Sequence, residues 1–106
     1  MTAADRLARS AVDAYGELTV ALQDKRRWPR EHFARLFSAV SAYVSATAQD
    51  DLIHRSVAGC VHGLREYLES CGGKVPGDAI FDADRLETML FSGYDPSFEG
   101  DEPADL

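Results

Sequence analysis

Apolar residues recur along this chain every three or four positions, in four blocks separated by short polar or glycine- and proline-containing stretches. That spacing stacks side chains on one side of a helix with about 3.6 residues per turn. Between Thr2 and about Gln23, Leu7, Ala11, Tyr15, Leu18 and Leu22 share a face, which Ala8, Val12 and Ala14 widen. From Pro29 the stripe is Phe33, Leu36, Phe37, Val40, Tyr43, Val44 and Thr47, and alanines keep its flanks thin enough for close packing. The clearest block runs from Asp50 to Cys71, with Ile53, Val57, Cys60, Val61, Leu64, Tyr67, Leu68 and Cys71 on one side. A shorter fourth block carries Leu86, Met89 and Leu90. Strand-like alternation bounded by hairpin turns is absent from the sequence, as are internal repeats. The pattern predicts an all-α fold, a small antiparallel four-helix bundle over residues 1–94 followed by an acidic C-terminal tail at 95–106.

The expected helix ends follow from residue chemistry. Pro29 suits the first position of the second helix, where a missing N–H costs nothing. Asp50 and Asp51 are candidate N-caps of the third helix, and Gly72-Gly73 supplies the residue with positive φ at which helices stop. Asp82 or Asp84 is the expected cap of the fourth, with Glu87 completing a box three residues after Asp84, and Ser92-Gly93 ends it. Gly16, inside the first helix, costs up to ~1 kcal/mol relative to Ala and is read either as marking a close crossing by a neighbour or as neutral drift.

A chain of 106 residues forms one domain. Its net charge of −7 is polarised along the sequence. Residues 1–48 hold seven Lys and Arg against five Asp and Glu, whereas residues 49–106 hold four against thirteen. The acidic balance disfavours nucleic acid as a partner and favours a protein with a basic surface. No apolar run approaches the ~20 residues of a membrane span, so the expected location is the cytoplasm, away from the membrane. Cys60 and Cys71 would lie about 16 Å apart on one continuous helix, beyond the reach of a disulfide, and are read as core residues.

Two segments carry the interaction chemistry. The connector Lys25, Arg26, Arg27, Trp28 places three cations beside an aromatic ring, and Arg30 follows. The tail surrounds Phe98 with Asp95, Glu99, Asp101, Glu102 and Asp105, so that charge would steer it to a basic surface and the ring would anchor it. Gly59 and Gly63 leave a smooth strip beside the apolar face of the third helix, suited to a close approach by a helix of the same bundle or by a second copy. His54 and His62 are about 12 Å apart on a continuous helix and cannot share one metal unaided, and no spacing calls for a cofactor.

Arg55 and His62 lie seven residues apart, which places them on the same side of a continuous helix with Glu66. This Arg-x6-His spacing resembles the Arg-x4-6-His motif of HEPN ribonucleases, small helical bundles that act as dimers, and Arg27 with His32 matches it as Arg-x4-His. The resemblance implies an arginine that stabilises phosphate charge and a histidine that works on the attacking 2′-hydroxyl. That family usually has asparagine or aspartate after the arginine, where Ser56 and Trp28 stand here. The ordinary alternative for His62 is a surface pair with Glu66, one helical turn on. The leading expectation is a protein-binding module of regulator, inhibitor, antitoxin or immunity type, acting through a charged surface and without catalysis. A ribonuclease using Arg55 and His62, or a homodimeric structural module, is the alternative.

Overall fold

The computed structural model describes residues 1–93, and the acidic tail expected from Asp95 lies outside the described residues. The chain forms α1 (Ala3–Ala21), α2 (Arg30–Ala46), α3 (Arg55–Val61), α4 (Leu64–Ser70) and α5 (Gly77–Ser92). The segments α3 and α4 are two halves of one interrupted arm, so the all-α bundle has four arms as the pattern predicts. Among the described residues, no helix is long and apolar enough to cross a membrane.

The first arm opens on a reciprocal cap. The Thr2 hydroxyl accepts the Asp5 N–H at 3.1 Å, and the Asp5 carboxylate accepts the Thr2 N–H at 3.0 Å, which satisfies two donors that a helix start leaves unpaired. Its inner face is Ala8, Ala11, Ala14 and Leu18, all buried. Three alanines in a row along that face let α1 lie close against α2, its main neighbour. Leu7 and Tyr15 fall to the sides and are only half buried. No atom comes within 4 Å of a Cβ built at Gly16, so the expected close crossing there is absent and the glycine faces open space.

The second arm follows Pro29, and Trp28 packs on Phe33 with ring centroids 5.3 Å apart. Phe33, Leu36, Val40 and Tyr43 fill the centre of the bundle, where full burial of a side chain of this size is worth about 1.5–3 kcal/mol. Thr47, next on the stripe, is buried with its hydroxyl donating to the Tyr43 carbonyl at 2.8 Å.

The third arm departs from expectation in two places. It starts at Arg55 instead of Asp50, because His54 is held extended with its backbone N–H donated to the Tyr43 hydroxyl at 2.8 Å. It also breaks after Val61. His62 is extended, and Gly63 has φ of +79°, a conformation that side-chain-bearing residues rarely adopt. The apolar stripe survives the break, since Val57 and Val61 before it and Leu64 and Leu68 after it all enter the same core. Gly63 is therefore a hinge in the backbone and not part of a smooth helical strip. No atom approaches a Cβ built at Gly59 or Gly63 within 4 Å, so no helix of the bundle uses either for close packing.

The fourth arm begins earlier than expected. Pro76, extended at φ −70° and ψ 153°, precedes Gly77, and the helix runs from there to an αL cap at Gly93. Asp82 and Asp84 thus lie well inside α5, and the expected box between Asp84 and Glu87 does not form. Their carboxylates are used sideways: Asp84 lies 3.7 Å from Arg65, and Glu87 lies 3.7 Å from His62. The preceding loop is pinned by Lys74, whose Nζ donates to the carbonyls of Leu22, at 2.6 Å, and Asp24. That cation occupies the carbonyl end of α1, where positive charge is favoured.

Candidate functional site

Two places on the bundle gather polar chemistry. At the start of α1, three residues from distant parts of the sequence converge. His54 Nε2 is 2.8 Å from Asp5 Oδ1, and His54 Nδ1 is 2.9 Å from the buried Tyr43 hydroxyl. A carboxylate only accepts, so the Nε2 carries the proton. In the neutral ring, Nδ1 then accepts the Tyr43 O–H, while the same hydroxyl accepts the His54 backbone N–H. The Thr2 N–H, followed by the His54 ring, holds the Asp5 carboxyl down at about 2, from an ordinary 3.8. All of these donors and acceptors are matched within the chain. The corner ties α1, α2 and the entry to α3 together.

The second place lies between the first turns of α2 and of α5. A cleft of about 330 Å³ opens there, lined by Trp28, Phe33 and Phe37 on the α2 side and by Asp78 and Asp82 on α5, with Arg30 on the α2 rim. Helical spacing explains the lining: Arg30, Ala34, Phe37 and Ser38 fall on one side of α2, and Asp78, Ala79 and Asp82 on one side of α5. Arg85 lies over the Phe37 ring, 5.1 Å from its centroid, and 3.8 Å from Asp82. Asp78 is exposed and has no ion pair or hydrogen bond from its side chain among the described residues.

Outward from this cleft, α5 presents a ridge to solvent. Phe81 is 60 % exposed and Phe91 is 50 % exposed. Asp78 and Asp84 stand three residues before and after Phe81, next to it on the helix surface. Phe91 meets the His62 ring edge-on at 6.5 Å, so its flank is partly covered, whereas Phe81 has no ring neighbour among the described residues.

The residues singled out in the sequence fall as follows. Arg55 and His62 stand at opposite ends of α3, roughly 10 Å apart along its axis. His62 turns to Glu87 and Phe91 of α5 instead of pairing with Glu66. Arg27 and His32, by contrast, line one groove of about 540 Å³ with Asp24 and Glu31. In the connector, Lys25, Arg26 and Arg27 are exposed and only Trp28 is partly buried. Arg26 pairs loosely with Asp24 at 3.9 Å. Cys60 is buried, which pushes its thiol up, Cys71 is half buried, and both are free. The proposed tail contacts Asp95, Phe98, Glu99, Asp101 and Glu102 lie outside the described residues.

Sequence spacing gave no sign of the Asp5, Tyr43 and His54 corner, whose members are 11 and 49 residues apart in pairs. The cleft was half visible: Trp28 stood out as an aromatic among cations, but its carboxylate wall comes from a helix whose start lay five residues before the expected cap at Asp82. No family model matches this chain, and neither a curated protein nor a solved structure matches it.

Proposed function

We propose that this chain is a cytoplasmic protein-binding module that docks a basic partner on the outer ridge of α5, with the acids that follow α5 in sequence adding to the attraction. The observation that carries the reading is Phe81, a large apolar side chain 60 % exposed on a regular helix between two carboxylates. An isolated exposed phenylalanine is ordinary on a protein surface. One flanked by acids, beside an aromatic cleft and on the acidic half of a polarised chain, has the make-up of an interface anchor with a charged rim. The acids speed encounter with a basic surface, and the ring supplies the buried contact.

Replacing Phe81 by a photo-crosslinking phenylalanine tests this directly in cells of the source organism. Position 81 is expected to capture one protein, whereas the same group at Ser10, on exposed α1 surface, captures none. With that protein purified, Phe81→Ala is expected to lose about 2 kcal/mol of binding, as an anchor residue does. Asp78→Asn with Asp84→Asn is expected to slow association roughly tenfold at low salt. Equal capture from positions 10 and 81, or capture of RNA in place of protein, removes the reading.

A further inference from the structure

The cleft between α2 and α5 has a chemistry more specific than that of the ridge beside it, and this inference deepens the docking reading and rests on it. We infer that the cleft seats an arginine side chain of the basic partner, its guanidinium lying against the rings of Trp28 and Phe37 and pairing with Asp78.

Shape comes first. An opening of about 330 Å³ lined by Trp28, Phe33 and Phe37 has room for one long side chain beside aromatic rings. Charge gives the sign of the occupant. Asp78 and Asp82 line the cleft from α5 and Arg30 lines it from α2; Asp82 already lies beside Arg85, whereas Asp78 has no partner among the described residues. A cation entering the cleft meets the Asp78 carboxylate ready to pair, whereas an anion is repelled by it. The molecule also shows the mode of binding on itself. Arg85 already rests on Phe37 at 5.1 Å while lying 3.8 Å from Asp82, a guanidinium held between an aromatic face and a carboxylate of this same cleft wall. An incoming arginine repeats that arrangement one turn earlier, with Asp78 in the place of Asp82. Arginine fits better than lysine, because its planar, weakly hydrated head stacks on rings and pairs in two-pronged fashion with carboxylates.

The chain has one tryptophan, Trp28, which lines the cleft, so its emission reports on the site. The test is titration of the full-length protein with a hexaarginine peptide, followed by Trp28 fluorescence and, in parallel, by anisotropy of the labelled peptide. A saturable change in emission is expected, about fivefold weaker for hexalysine. Asp78→Asn is expected to weaken it by roughly tenfold, near the lower end of what a charge-assisted contact contributes. Arg30→Ala is expected to tighten it severalfold, since it removes a like charge from the lining. Both substitutions are at exposed positions, and circular dichroism verifies that the helices are retained. Three outcomes overturn the inference: emission that stays constant while the labelled peptide still binds, Asp78→Asn titrating like the parent, or Arg30→Ala weakening the response. The first of these leaves the ridge as the docking surface and removes only the cleft. Absence of any binding by either readout removes both.

Discussion

The corner at Asp5, Tyr43 and His54 and the cleft between α2 and α5 contain similar ingredients, aromatic rings beside charged and titratable groups, yet they are finished differently. In the corner, both His54 ring nitrogens, its backbone N–H, the Tyr43 hydroxyl and the Asp5 carboxylate are all taken up by one another. In the cleft, Asp78 has no partner among the described residues and the rings border open space. A polar group that is fully matched within the chain has already spent its interactions on the fold. One left unmatched beside exposed aromatic surface retains them for a second molecule. The histidine that joins distant segments is accordingly a structural residue, and the plainer aspartate at the head of α5 is the functional candidate.

Substitution separates the two regions, and the largest effect is expected in the corner. Tyr43→Phe keeps the ring in the core but removes the hydroxyl, leaving the His54 N–H and Nδ1 without their partner. Stability to urea is expected to fall by about 1–3 kcal/mol, the range for stranding a polar group in a protected site. A loss near zero would mean that the corner is held by packing alone and would dissolve the contrast.

Acid sharpens the comparison next. Asp5 titrates at about 2 in the folded chain against an ordinary 3.8, so its ionised form contributes stability that is fully present above the higher value and lost as pH falls through the lower one. The difference in unfolding midpoint between the parent and Asp5→Asn is therefore expected to narrow as pH drops from about 4 to 2. A gap that stays constant over that window contradicts the assignment. The smallest effect belongs to the cleft: Asp78→Asn is expected to change stability by less than about 1 kcal/mol, since an exposed carboxylate in a first helical turn contributes only its interaction with the helix dipole. A larger loss would show that Asp78 holds the fold and is not reserved for a ligand.

The same contrast explains what could be read in advance. The apolar stripes that define α1, α2 and α5 were legible because burial of Leu18, Leu36 and Leu86 dictates a periodicity that local sequence displays. The break at His62 and Gly63 was hidden by that very signal. Both halves of the arm face one core, so the stripe runs through the interruption without a change of phase. The start at Arg55 was hidden for a different reason: Asp50 and Asp51 are good caps locally, and tertiary hydrogen bonds to His54 outweighed them. Gly77 likewise displaced Asp82 as the start of α5, because Pro76 already sets the extended conformation from which a helix can begin. In the cleft, Trp28 was legible by its composition, whereas Asp78 became notable only once α5 was seen to begin before it.

The break at Gly63 also bears on how the third arm is held in the molecule. Each half of the interrupted arm is 7 residues long, well below the ~12–15 at which a helix persists by itself in water. Neither half is long enough to persist alone, so both depend on their packing against α1 and α5. The central arm, despite the strongest apolar signal in the chain, is the dependent part of the bundle. Its amides are expected to exchange with solvent faster than those of α1 and α2 when hydrogen exchange is followed residue by residue.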